Sequence, residues 1–285
     1  MNKKIFIYTL TTLALAACSS DDDGTATPPT PERHLTVVVN EKPFESADGS
    51  KARERMDTRG NVITTSSLSG FKMNYGENRY TIKKVNQEWT TTPNTWPTVG
   101  YDTKITFYAY TAGTYYSAGN YLSFTAEENA RSTTDLLVAK SLSTSYNDAK
   151  GQVNLTFSHA CAAIYFTAEI SNKLYEKSGN LTVNEIVLKN VVKQGDYNFS
   201  TKLWKPSSTI TDYTLNNSDI TATTTSQNLN NGDPLFLIPQ TLSGSARFEI
   251  TYNTDEKTSI PLNGVTVEAG KEYHMNIVLG TANIK

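Results

Sequence analysis

The sequence predicts an all-β protein made of two β-sandwiches in tandem. Apolar residues alternate with polar ones over short segments, as in Phe71, Met73 and Tyr75 or Val153, Leu155 and Phe157. A period of two places every second side chain on one buried face. Gly, Pro and Asn separate roughly fifteen such segments, and no stretch keeps apolar residues at helical spacing for three turns. Aromatic side chains are plentiful, with 16 Tyr, 10 Phe and 3 Trp, and these suit a pleated, half-buried surface. At 285 residues the chain is too long for one small β-domain. Its length fits two domains of about 130 residues.

In chain order, Lys3 and Lys4 precede a run of apolar and small residues from Ile5 to Ala17. The run ends in Leu15-Ala16-Ala17-Cys18 and gives way to Ser19-Ser20-Asp21-Asp22-Asp23. A charged start, a short apolar run and small residues before a cut predict a secretory signal over residues 1–17. As a helix the run would rise only about 20 Å, short of the ~30 Å hydrocarbon core, so it is not expected to span a membrane. The Leu-Ala-Ala-Cys ending resembles a bacterial lipobox, which would make Cys18 the acylated first residue of the mature chain. The acidic stretch after it resembles the leader of lipoproteins that Bacteroidetes export to the outer face of the outer membrane. Residues 18–33 then form a lipidated tether. Its Thr25–Pro31 portion is expected to be extended and semi-rigid, because proline fixes φ and removes a donor.

From His34 onward the signal is β. Leu35-Thr36-Val37-Val38-Val39 is a β-branched run of strand length, followed by a charged, loop-like stretch through Asp57. Alternation returns at Phe71–Tyr75, Tyr80–Ile82, Ile105–Ala109 and Val153–Phe157, then at Ile164–Ile170, Ile186–Leu188, Phe248–Tyr252 and Tyr273–Leu279. Leu235–Ile238 is apolar on both faces, as expected of an interior strand, and Pro239 ends it by withholding a ladder donor. The polar stretch Ser141–Gly151 is the best boundary, giving domains 34–150 and 151–285.

Charge and motifs exclude several function classes. The 26 basic residues against 28 acidic ones leave no basic stripe for nucleic acid. With Cys18 lipidated, Cys161 has no partner for a disulfide. It lies in the apolar run Ala160–Ile164 and is read as a buried, inert thiol. His34, His159 and His274 are far apart with no second ligand at metal spacing, and His159, at the end of an alternating strand, is read as structural. Asp21, Asp22 and Asp23 are read as a solvated leader. Asp212, Asp219, Asp233 and Asp255 match no calcium loop. No nucleophile elbow, phosphate loop or metalloprotease helix is present, so no catalytic residue, metal or cofactor is expected. Trp89, Trp96 and Trp204 are read as packing residues rather than a sugar platform.

Several stretches occur together in one order: Thr95-Trp96-Pro97, Ile105–Tyr110, Asp135–Ala139, Phe157–Ala160, Pro234–Gln240 and Ala269–Tyr273. Behind the lipobox, this series resembles the fimbrillin family of Bacteroidetes, the subunits and accessory proteins of type V pili. The resemblance implies two tandem transthyretin-like β-sandwich domains, no enzyme activity and no cofactor. It also implies an assembly route. A lipoprotein reaches the surface through its anchor at Cys18, and an arginine-specific protease removes the anchor together with the first strand. A strand from a neighbouring subunit then fills the vacated groove. Arg59, in Thr58-Arg59-Gly60, best matches the family's cut site, with Arg55 and Arg53 behind it. Leu35, Val37 and Val39 mark the exchangeable strand. Its removal would leave unpaired backbone and apolar pockets that welcome another strand. Stalk subunits of the family carry a C-terminal extension, whereas this chain stops at Lys285, six residues beyond Leu279. A tip or accessory subunit is therefore expected, with other pilus subunits as partners and a ligand on a host or bacterial surface. The alternative is a surface glycan-binding lipoprotein that keeps its anchor and presents its tryptophans on one platform.

Overall fold

The computed structural model describes residues 32–47, 62–64, 66–127, 134–216, 219–229, 232–253 and 256–280. Cys18, Arg53, Arg55 and Arg59 lie outside the described residues, as do the expected signal 1–17 and most of the tether 18–33.

Among the described residues the chain is all-β, with 23 strands and two short helices. The first part holds β1 (Thr36–Lys42), β2 (Glu45–Ser46), β3 (Gly70–Tyr75), β4 (Asn78–Val85), β5 (Glu88–Thr92), β6 (Tyr108–Tyr110), β7 (Thr114–Tyr116), β8 (Tyr121–Thr125) and β9 (Leu137–Lys140). Helix α1 (Tyr146–Ala149), β10 (Gln152–His159), β11 (Ala162–Ile170), helix α2 (Asn172–Ser178), β12 (Leu181–Val192), β13 (Gln194–Asn198), β14 (Leu203–Pro206) and β15 (Ile210–Asn216) follow. The rest is β16 (Ile220–Ala222), β17 (Gln227–Asn228), β18 (Leu235–Leu237), β19 (Gln240–Thr241), β20 (Arg247–Tyr252), β21 (Glu256–Pro261), β22 (Thr266–Val267) and β23 (Lys271–Leu279). The strands outnumber the alternating segments because several are only two or three residues long, too short to show a period. Both helices start at a serine cap: Ser145 Oγ accepts from the Asp148 N–H at 3.2 Å, and Ser171 Oγ from the Leu174 N–H at 3.3 Å.

The largest sheet is 7-stranded, in the order β1-β10-β9-β6-β3-β4-β5. β1 runs parallel to β10, from Thr36 opposite Gln152 to Lys42 opposite Ser158. The other neighbours in this sheet are antiparallel. Just past β5 the chain returns to the start of β1. The Leu35 N–H donates to the Asn94 carbonyl and the Trp96 N–H to the Arg33 carbonyl, both at 2.7 Å, while His34 bridges Thr95. The sheet edges thus meet around one apolar core that includes Leu35, Val37, Phe71, Met73, Phe107 and Phe157.

The remaining sheets follow the orders β17-β11-β23-β2, β15-β12-β20-β21, β14-β13-β8-β7 and β19-β22, with β18 also on β11 and β16 also on β12. They share a second core, in which Phe166 of β11 meets Phe248 of β20 edge-on at 5.6 Å. All three residues of β18 are buried, as its two-sided apolarity predicts.

Sheet membership crosses the expected boundary at 150/151. β10, beyond it, belongs to the seven-stranded sheet, and β8, before it, pairs with β13. The polar stretch Ser141–Gly151 is a packed connection. Ser141 Oγ accepts the Phe107 N–H at 2.9 Å, Thr144 bridges Ile105, and α1 lies within it. Gly151 closes this stretch at φ +80, where a Cβ would stand 2.2 Å from the His34 carbonyl oxygen. Only glycine lets the chain turn there and approach β1 so closely. The Gly151 carbonyl accepts the Thr36 N–H at 2.9 Å, seating the start of the strand.

Candidate functional site

The alternation of β1 sends Leu35, Val37, Val39 and Glu41 to one face. Leu35 is 2% exposed, Val37 is 7% exposed, and Val39 is half-buried against the same core. The structure thus brings together all three residues expected to mark the exchangeable strand. Beyond β10 on one side, and the short bridge at His34 on the other, β1 is an edge strand. Glu41 continues the inward row with a carboxylate where another apolar residue would be expected.

That carboxylate meets His159, the last residue of β10. His159 Nε2 lies 3.1 Å from Glu41 Oε1, and Nδ1 lies 2.8 Å from Asp135 Oδ2. The His159 and Asp135 side chains are fully enclosed, and Glu41 is 9% exposed. Asp135 Oδ2 also accepts the Ile63 N–H at 3.2 Å. An imidazole with a carboxylate oxygen at hydrogen-bond distance from each nitrogen is satisfied only when both nitrogens carry hydrogen, so the ring is held as an imidazolium. Burial works against that charge. The hydrogen bonds to Asp135 and Glu41, together with their negative charges, outweigh it and raise the His159 pKa above the ordinary imidazole value.

After Pro43 the chain leaves the first sheet for the second core. Phe44, 2% exposed, stacks on the His159 ring at 3.7 Å between centroids and lies 6.2 Å from Phe236. β2 then joins β23 in parallel, with the Glu45 N–H donating to the Gly270 carbonyl at 2.8 Å and the Ala47 N–H to the Glu272 carbonyl at 3.0 Å. The Glu45 carboxylate is 2.8 Å from Lys271 Nζ and 2.7 Å from Lys42 Nζ. Those two ammonium groups, Lys271 foremost, pull its pKa down to about 2. Residues 33–47 therefore form a strap that plugs both cores, with its charged contact buried in the middle. A cleft of about 230 Å³ beside it is lined by Lys42, Glu45, Ser158, His159, Tyr197 and Lys202, among others. Its two lysines and Glu45 are charged groups that share the cleft with the ring.

The raised pKa fixes the sign of a pH effect. The stabilisation from the charged ring is complete below the unfolded imidazole value and is lost as pH rises through the higher folded value. Thermal unfolding of the full chain should show stability falling as pH climbs from about 6.5. An imidazole resonance of His159 that titrates below that value in the folded protein would contradict this assignment.

Glu41, Phe44 and Asp135 did not stand out in the sequence, and His159 did so only as a structural histidine. The one signal available was phase: Glu41 falls in register with Leu35, Val37 and Val39, where an acid is out of place. Trp96 is 3% exposed and packs edge-on against Phe107. Trp89 packs against Phe71 under Lys84. Trp204 donates its Nε1–H to the Ala160 carbonyl at 2.7 Å and packs against Tyr197. The three tryptophans thus serve as packing residues on separate elements. Cys161 is fully buried, and burial, with the Asp135 charge nearby, pushes its thiol pKa well above the ordinary value.

A family model described as fimbrillin-like matches residues 55–285. The fold is similar to that of a candidate cell-adhesion protein from Bacteroides ovatus, with a TM-score of 0.56 and 16% identity over 88% of this chain and 95% of that one. A candidate cell-adhesion protein from Bacteroides uniformis aligns with a TM-score of 0.53 and 16% identity, covering 91% of this chain and 96% of that one. A fimbrial protein from Bacteroides vulgatus gives a TM-score of 0.53 and 16% identity, covering 89% and 97%. At such identity the likeness is one of fold. No curated protein matches the sequence.

Proposed function

The chain belongs to the fimbrillin-like family, and from that premise we propose that it is a structural or adhesive subunit of a cell-surface type V pilus. It is exported as a lipoprotein anchored at Cys18, held at the outer membrane until an arginine-specific cut at Arg59 frees it. Strand exchange at the β1 slot then joins it to other pilus subunits. The observation that carries this reading is the position of β1. It holds an edge place beside β10, its backbone paired along one side, while its side chains fill a core built by residues far along the sequence. Withdrawing such a strand opens a row of backbone donors and acceptors and a set of apolar pockets, which a foreign strand satisfies.

The tip or accessory role draws support from the last strand. β23 pairs with β11 along its length, from Ala163–Glu272 to Ile170–Leu279, and with β2 only at Lys271 and Glu272, while Ile277, Val278 and Leu279 are buried. The burial of those last three side chains opposes its release as a donor. The glycan-binding alternative is disfavoured because Trp89, Trp96 and Trp204 are engaged in packing on separate elements.

Brief treatment with an arginine-specific protease should leave a resistant body made of the fragment that begins at Gly60 with residues 32–47 still seated against it. Recovery of only uncut chain, or breakdown to small peptides, would count against the processing step.

A further inference from the structure

We propose that the β1 slot selects its occupant by charge as well as by shape. An incoming strand from another subunit must bring a carboxylate to the place of Glu41 and an aromatic ring to the place of Phe44. This deepens the strand-exchange reading and rests on it.

The slot keeps an enclosed, charged ring when β1 leaves. His159 stays on β10 with its side chain enclosed, and Asp135 continues to hold Nδ1–H. Its Nε2–H then points into the vacated groove where Glu41 Oε1 had been, 3.1 Å away. An apolar residue there would leave a buried, charged donor unsatisfied, and a lysine would set like charge against it. Both are costly in a site that excludes water. A carboxylate is the side chain that completes the ring's hydrogen bonds and balances its charge.

The aromatic requirement has a separate basis. Phe44 lies flat on the imidazolium at 3.7 Å, with an interplanar angle of 20°, and reaches the second core near Phe236. Without that ring the face of His159 would open to the neighbouring cleft, whose lining outside the strap includes Ser158, Tyr197 and Lys202. A flat π-face suits a cation and seals it from water. Pro43 between the two residues interrupts the ladder where the strap crosses from β10 to β23. The occupant is thus a segment with apolar residues at three alternating positions, an acid two residues on, and an aromatic three residues after the acid. In this chain those residues are Leu35, Val37, Val39, Glu41 and Phe44.

The test uses the full chain with a site-specific protease sequence replacing residues 53–59, so that cutting does not depend on the native arginines. After the cut, dye-labelled peptides of residues 32–47 compete for the slot at slightly acidic pH, read by fluorescence anisotropy and native mass spectrometry. The unmodified peptide should replace the resident segment one for one. A Glu41→Gln peptide should bind about tenfold or more weakly, as expected for loss of a charged hydrogen-bond partner. A Glu41→Leu peptide, though more apolar, should be weaker still, and Phe44→Ala should also lose at least about tenfold. If Glu41→Leu binds as tightly as the unmodified peptide, the slot reads apolar pattern alone and the charge proposal falls while strand exchange stands. If no peptide enters, the unmodified one included, strand exchange itself falls and the charge proposal with it.

Discussion

A chain that begins at Gly60 is expected to lose a large share of its stability, even though its core residues from β3 onward are intact. It lacks Leu35, Val37 and Phe44, all nearly fully buried. At ~1.5–3 kcal/mol for each such side chain, the loss comes to roughly 5–9 kcal/mol before any backbone pairing is counted. Domains are typically stable by only about 5–15 kcal/mol, so the truncated chain should sit near the edge of unfolding. The melting temperature should fall by at least about 10 °C for a chain of this size, and a dye that binds exposed apolar surface should bind strongly. Adding residues 32–47 as a free peptide should reverse much of both effects. A truncated chain that melts within a few degrees of the full one would mean that β1 contributes little to either core.

The second large effect concerns Asp135. Asp135→Ala is expected to cost about 3–5 kcal/mol, because it leaves an enclosed imidazolium without its closer partner and strands the Ile63 N–H. Part of the penalty should be relieved by the ring giving up its proton. The stability of the variant should therefore vary less with pH above about 6.5 than that of the natural chain. Combining Asp135→Ala with His159→Leu and Glu41→Leu should recover some of the loss, since an apolar replacement of all three partners leaves no unbalanced charge. Urea unfolding midpoints for the two variants across that pH range measure this. A loss below about 1 kcal/mol for Asp135→Ala would show that the buried ion pair is not formed as described.

The elements most legible in the sequence were those with a clean period of two. Phe71–Tyr75, Val153–Phe157 and Ile164–Ile170 lie in β3, β10 and β11; burial alternates cleanly in β10, while Asn74 in β3 and Tyr165 in β11 are buried as well. Periodicity reports that a face is buried, but not against which partner. For that reason the parallel pairing of β1 with β10, whose register joins Val37 to Val153, could not be read from either segment. The same limit put the expected division at 150/151, where turn chemistry is strong but the sheet does not end. Sheet membership there depends on pairings between residues far apart in the chain.

The candidate site was legible by halves. Leu35, Val37 and Val39 were visible as a β-branched run, while the group that gives the slot its charge is shared between three segments. Glu41 looks like the start of a polar loop, Asp135 like an acid before an apolar run, and His159 like the end of a strand. Only the fold puts them within hydrogen-bond reach. Phe44 was hidden for a related reason: a lone aromatic after proline has no period, and its partners His159 and Phe236 lie far along the chain.

Native-state hydrogen exchange on the intact chain tests most directly whether this strand is replaceable. The amides of Val37 to Glu41 and of Glu45 to Ala47 should exchange together, through an opening that leaves β10 and β11 protected and so requires less free energy than global unfolding. Protection of β1 equal to that of β10, lost only when the whole molecule unfolds, would contradict the account, because the first strand would then be a permanent part of the core.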